Sequence, residues 1–253
     1  MKKSTKRKLI IIPLTIMLLV LGGIYLVSGW GGFLWIFASV DRTDMMDEFF
    51  YGEFVCRIYV PDGPGAYPLV LHLHGGGQCG TDNRQQTKKS SVMQTLLSKD
   101  NLKKYPCIAL APQCTGDWEP DALRDLLEYT IENYAVDPAR IYITGFSKGG
   151  HGVWDMLAAH PEYIAAAVPA CGWGDPEAAP RFRDVAVWAF HGRRDPEIDA
   201  EDSRRIVRAL EEAGSTKVKY TEYPLEAHQC YELAWRETDL FPWMFAQAKA
   251  GQG

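Results

Sequence analysis

The 253-residue sequence contains no internal repeat, no low-complexity tract and no Gly/Ser/Pro-rich linker long enough to divide it into domains. A solenoid, an array or a disordered scaffold is therefore excluded. Its six cysteines, Cys56, Cys79, Cys107, Cys114, Cys171 and Cys230, include no CxxC pair, and the one close Cys/His pair, His228 with Cys230, has no further ligand beside it. A zinc site is not expected. The triple glycine at residues 75–77 lacks the spaced Gly-Lys-Ser/Thr of a phosphate-binding loop. Residues 1–40 lack acids altogether, and residues 9–40 lack charge of either sign.

What is present is unevenly spread. Of the 27 Lys and Arg residues, five (Lys2, Lys3, Lys6, Arg7, Lys8) lie at the start, while all 32 acids lie beyond residue 40. The first 40 residues thus carry a charge of +5 and residues 41–253 a charge of −10, within a total of −5. From Leu9 to Val27 the chain is apolar apart from Pro13, Thr15 and two glycines, long enough for a helix to cross a bilayer core of roughly 30 Å. The preceding basic cluster orients such a helix with its start in the cytoplasm and the body outside. Two readings of residues 1–40 stand side by side: an uncleaved transmembrane anchor with Trp30, Trp35 and Phe37 at the interface, or a signal peptide cut near Val27-Ser28-Gly29. Either puts the cysteines in an oxidising compartment, where disulfides form. Sequence alone does not choose among their 15 complete pairings. An acidic body is a poor partner for nucleic acid, so membrane contact is expected through the N-terminal helix only.

Residues 41–253 read as one α/β domain with a mostly parallel central sheet flanked by helices. Strands are expected at Phe54–Val60, Leu69–Leu73, Cys107–Ala111, Arg140–Thr144, Ala165–Ala170, Val185–His191 and Val218–Tyr223, several apolar at nearly every position as strands buried on both faces are. Helices are expected at Ser91–Ser98, Asp121–Tyr134, Gly149–His160, Ala200–Ala213 and Pro242–Ala250. Sites in such folds lie just beyond the carboxyl ends of the strands.

Three of those strand ends carry chemistry. Gly145-Phe146-Ser147-Lys148-Gly149 stands between a strand and a helix, where small residues allow a sharp turn that projects the serine hydroxyl. A serine needs a base, and the base an orienting carboxylate. Asp195 follows the next-but-one strand in His191-Gly192-Arg193-Arg194-Asp195, with Glu197 and Asp199 as rivals nearer the following helix, and His228 follows the last strand. Ser147, Asp195 and His228 are the candidate catalytic residues. Donors for an oxyanion are expected from Gly76 and Gly77, in His74-Gly75-Gly76-Gly77 after an early strand, and from the N–H of Lys148. The Lys148 side chain is expected to add positive charge at the mouth, and Trp173, after another strand, to line a substrate pocket. His72, His74, His151, His160 and His191 are read as structural, and Trp118 has a weaker claim on the pocket than Trp173.

With these residues the chain resembles the α/β-hydrolases of the dienelactone-hydrolase and prolyl-oligopeptidase-like group, among secreted esterases and predicted peptidases, from about Tyr51 to Ala246. The resemblance lies in Tyr67-Pro68-Leu69-Val70-Leu71-His72-Leu73-His74-Gly75-Gly76-Gly77, Leu110-Ala111-Pro112-Gln113-Cys114, Thr144-Gly145-Phe146-Ser147-Lys148-Gly149-Gly150, Phe190-His191-Gly192-Arg193-Arg194-Asp195 and Ala227-His228. It implies a Ser147 nucleophile, an Asp195 orienter, a His228 base and no cofactor or metal. Dienelactone hydrolases proper use cysteine where this chain has Ser147, which disfavours their substrate. The expected activity is hydrolysis of carboxylic esters, on small molecules or acylated carbohydrate. A prolyl-oligopeptidase-like peptidase and a non-catalytic surface binding protein are the alternatives, and oligomeric state is left open.

Overall fold

The computed structural model describes residues 41–88 and 91–249. The anchor or signal helix expected within residues 1–40 lies outside them, and no described helix is long and apolar enough to cross a membrane.

Eight strands form one sheet: β1 (Asp47–Tyr51), β2 (Phe54–Tyr59), β3 (Tyr67–Leu73), β4 (Ile108–Gln113), β5 (Val136–Phe146), β6 (Ala166–Ala170), β7 (Ala186–Gly192) and β8 (Val218–Tyr223). Their spatial order is β1-β2-β4-β3-β5-β6-β7-β8. β2 runs antiparallel to both neighbours, and every pairing from β4 to β8 is parallel. The continuous apolar runs have a direct cause: successive residues feed two cores. Leu69, Leu71, Leu73, Ile108, Leu110, Ile141 and Ile143 face one side, where the helices Pro120–Asn133, Lys148–Ala159 and Ala200–Glu212 pack. Val70, Ala109, Ala111, Tyr142, Trp188 and Phe190 face the other, covered by Met93, Leu96, Trp235, Leu240, Phe241 and Met244. Apolar burial on both faces, at about 25 cal/mol per Å², holds a parallel sheet together.

Departures from the expected elements have local reasons. β1 is not among the expected strands: Asp-Glu-Phe-Phe-Tyr is an exposed edge, turning through Gly52 (φ +55°) into β2, and its Phe49 and Tyr51 rest on Tyr129 at 5.8 and 4.8 Å between ring centroids. The helix expected over Ser91–Ser98 is the shorter Met93–Leu96, and a further helix not among those expected, Lys99–Lys104, starts where the Ser98 hydroxyl accepts the Asn101 N–H. The last described helix is Leu240–Phe245, earlier than expected, with Pro242 in its first turn, where a missing N–H costs nothing.

Candidate active site

β3 and β5 are hydrogen-bonded neighbours with Leu73 opposite Gly145. Because β4 lies on one side of β3 and β5 on the other, the loops leaving β3 and β5 open onto the crevice where the strand order switches. Ser147 stands there at φ +56°, ψ −120°, a left-handed conformation costly for a residue with a side chain, its N–H bonded to Ala170 O at 2.9 Å. The flanking glycines are required by close approach: a Cβ on Gly145 would lie 2.1 Å from Gly149 O, and one on Gly149 would lie 2.0 Å from Leu73 O. The sharp turn therefore exists only because strand, turn and helix backbones touch.

Asp195 and His228 stand on the loops after β7 and β8. His228 Nδ1 is 2.7 Å from Asp195 Oδ2, and His228 Nε2 is 2.9 Å from Ser147 Oγ. The carboxylate's other oxygen accepts the N–H groups of Glu197 (2.9 Å) and Ile198 (3.0 Å). Burial pushes the Asp195 carboxyl upward, but the hydrogen bonds from His191, His228 and the Ile198 N–H outweigh it and hold the group below the ordinary 3.8. Of the rival acids, Asp199 caps the helix Ala200–Glu212 through the Glu201 N–H (2.9 Å), and Glu197 is an exposed side chain 3.7 Å from His228 Nε2.

His191, read from sequence as structural, is wired to this acid. Fully buried, it brings Nε2 to 3.2 Å from Asp195 Oδ2 and 3.1 Å from Ile198 O, so Nε2 carries the proton, while Nδ1 meets Ser203 Oγ at 2.7 Å. The signal for it was its place four residues before the acid, across one turn. Donor atoms of Cys171, His191 and Asp195 also fall within 4.8 Å of one another, but each is already engaged, Cys171 with Cys230 and the other two as described.

The glycine loop forms a 3-10 turn over Gly76–Gln78. The N–H groups of Gln78 and Cys79 close on Gly75 O and Gly76 O at 3.1 and 3.2 Å, so the turn itself leaves the first two donors, of Gly76 and Gly77, unbonded. His74 fixes the loop: its Nε2 accepts the Cys114 N–H (3.2 Å), leaving Nδ1 to donate to Gly75 O (2.8 Å). Burial lowers its pKa to about 4 and that of His72 to about 3, so both are neutral near pH 7. Lys148 contributes a first-turn N–H beside Ser147. Its ammonium bonds Gly116 O (2.8 Å) and pairs with Asp117 (3.0 Å) instead of adding free positive charge at the mouth as expected.

A cavity of about 330 Å³ opens over Ser147, lined by Gly75, Gly76, Gly77, Gln78, Phe146, Glu197, His228, Gln229 and Tyr231. No described Lys or Arg stands in its wall. Trp173 is not among the lining residues, contrary to expectation: its ring stacks on His151 (centroids 4.3 Å, 16°) and its carbonyl meets His151 Nδ1 at 2.9 Å. Trp118 is buried, donating from Nε1 to His74 O at 3.1 Å. His151 and His160 pair with Asp155 and Asp121.

A mostly parallel sheet with a serine at the turn after β5, and an acid and a histidine on the loops after β7 and β8 at its far edge, defines an α/β-hydrolase. The chain belongs to the dienelactone hydrolase family, whose family model matches residues 74–231. Among solved structures it is similar to a thermostable esterase, 31% identical with a TM-score of 0.76, covering 82% of this chain and 64% of that one. Among curated proteins it is similar to the poly(3-hydroxyalkanoate) depolymerase C of Paucimonas lemoignei, 28% identical over 45% of this chain, and to a bifunctional acetylxylan esterase/xylanase of Neocallimastix patriciarum, 27% identical over 55%. The chain spans 30% and 21% of the length of those two relatives.

Proposed function

We propose that the protein hydrolyses carboxylic esters through a Ser147 acyl-enzyme. The observation that carries this reading is the unbroken chain of hydrogen bonds from Asp195 Oδ2 through His228 to Ser147 Oγ, 2.7 and 2.9 Å, beneath an open cavity. His228 Nε2 takes the hydroxyl proton as Ser147 Oγ attacks the ester carbonyl, and Asp195 stabilises the imidazolium that results. Charge on the carbonyl oxygen is met by the N–H groups of Lys148, Gly76 and Gly77, each such donor worth about 10²–10³ in rate. His228 then passes its proton to the departing alcohol, and a water deprotonated by the same nitrogen releases the acid. Side chains and backbone suffice for every step.

The substrate we infer is an uncharged, short acyl group on a polyol or carbohydrate. A wall without Lys or Arg, with Glu197 at its rim, disfavours an anionic acid portion. The 3-10 turn Pro176–Arg181 that follows β6 packs on the helices Lys148–Ala159 and Ala200–Glu212 and does not line the cavity, so it gives a long acyl chain no cover. The acetylxylan esterase relationship points the same way. We take residues 41–253 as the catalytic domain, and the +5, uncharged-core stem of residues 1–40 as what sends it outside the cytoplasm, by anchoring or by cleavage.

A fluorophosphonate probe tests the nucleophile: the protein labels, and Ser147→Ala does not. Absence of labelling, or labelling that survives the substitution, overturns the reading. Turnover of acetyl, feruloyl and long-chain esters and of peptide anilides then tests the substrate, with acetyl esters fastest; faster cleavage of the anilides overturns the ester assignment.

A further inference from the structure

Two thiols on segments that build the site lie against each other. Cys171 Sγ and Cys230 Sγ are 2.8 Å apart, both side chains wholly buried, and about 0.75 Å of approach separates them from the ~2.05 Å of a disulfide. They are 59 residues apart in sequence, and each belongs to a segment that builds the site. Cys171 follows β6 in a left-handed backbone conformation (φ +48°), its N–H bonded to Phe190 O at 2.9 Å on β7. The residue before it, Ala170, accepts the Ser147 N–H. Cys230 stands two residues after His228 and begins the short helix Tyr231–Ala234, whose Leu233 and Ala234 N–H groups bond its carbonyl at 3.0 and 3.1 Å.

We propose that Cys171 and Cys230 form a disulfide that ties the loop bearing His228 to the strand that holds the Ser147 backbone. Each thiol gives up one hydrogen as the sulfur–sulfur bond forms, and the two electrons and two protons pass to an oxidant of the disulfide class, which departs as two thiols. Burial and the Cys171 sulfur hold the Cys230 thiol well above its ordinary value, so the exchange belongs to folding, before the pair is enclosed. The bond closes a loop of about 60 residues, a length at which a cross-link removes much of the unfolded chain's freedom. It also goes with the oxidising compartment expected for a body carried by an exported stem. Of the three other buried thiols, Cys56 and Cys107 serve as internal controls.

The inference is independent of what the site hydrolyses, and its test reads sulfur chemistry directly. The full chain is folded with oxidised and reduced glutathione, then denatured in iodoacetamide without reduction and digested for mass spectrometry. The expected result is one linked species joining the Cys171 and Cys230 peptides, two hydrogens lighter than the sum and lost on reduction, with Cys56 and Cys107 alkylated. Alkylation of both Cys171 and Cys230 before reduction, pairing of either with another cysteine, or both sulfurs held by a stoichiometric zinc ion that a chelator removes would each overturn it. As a second measurement, reduction is expected to lower the wild-type Tm by about 5–15 °C more than it lowers that of the Cys171→Ala/Cys230→Ala double variant. Equal shifts in the two proteins overturn the clamp.

Discussion

The two sides of the candidate site are held by different means. On the serine side, between β3 and β5, backbone meets backbone: Gly145 and Gly149 let the strand end, turn and helix start pack within distances that admit no Cβ, and the Ser147 conformation follows from that contact. On the acid and histidine side, beyond β7 and β8, one such backbone contact, Gly192 against Ala227 O, is joined by side-chain bridges, His191 between Ser203 and Asp195, and Cys171 against Cys230. The first arrangement is all-or-none, since a glycine either fits or the turn cannot form. The side-chain bridges of the second are graded, because each can be removed singly while the sheet stays intact.

That contrast orders the expected effects of substitution. Ser147→Ala removes the attacking atom and its hydrogen bond to His228, and leaves the backbone contacts of the turn in place. On the proposed mechanism kcat falls by about 10⁴-fold or more with the Tm unchanged, as ester turnover and calorimetry will read. Gly149→Ala touches no reacting atom, yet drives a Cβ to 2.0 Å from Leu73 O. It is expected to destabilise the fold by about 3–5 kcal/mol or prevent folding, measured by denaturant titration. A well-folded, active Gly149→Ala protein would dissolve the distinction between the two sides.

The same contrast explains what the sequence made legible. The parallel strands β3 to β7 were readable because each feeds apolar side chains to two cores, and the turn at Ser147 because its demands fall on residues within five positions of one another. That Ser147, Asp195 and His228 come together was readable from chain order and strand ends. Contacts made by side chains across long sequence distances were not. Nothing near Cys171 names Cys230 as its neighbour. His191 is a different case: its place four residues before Asp195 is a local signal, but one that a histidine ending a buried strand carries whether it meets backbone or the acid. Position after a strand also leaves open where a long side chain turns, hence the different placements of Lys148, drawn to Asp117, and Trp173, drawn to His151. Edge strand β1 escaped because an exposed, acidic edge carries no apolar alternation.

On the graded side, His191→Ala removes one hydrogen bond to a carboxylate, worth about 1.5–3 kcal/mol. On the proposed mechanism kcat is expected to fall about 10- to 100-fold with KM little changed, and His191→Gln, which keeps an N–H, to recover some of the loss. Stability carries a second signature. The Asp195 carboxyl titrates below 3.8 when folded and near 3.8 when unfolded, so its contribution is complete above about pH 5 and fades as the pH falls through that range. Removing His191 weakens the depression. The stability gap between wild type and His191→Ala should therefore be widest near neutrality and narrow below pH 4, as denaturation followed across pH will report; a gap independent of pH would make His191 a packing residue only.

The smallest effect is expected at Trp173. Its position after β6 made it a candidate for the substrate pocket, but the ring lies flat on His151 and outside the lining of the cavity over Ser147. Trp173→Ala loses that stack, about 0.5–1.5 kcal/mol beyond area burial, while every residue around the serine keeps its place. For a small acetyl ester kcat/KM should stay within about twofold of wild type, with a Tm lower by a few degrees. A larger carbohydrate ester sharpens the test, since it reaches beyond the cavity: an unchanged KM confines recognition to the walls over Ser147, whereas a several-fold rise with the acetyl ester unaffected would place the alcohol portion across the indole and extend the site to the β6 side.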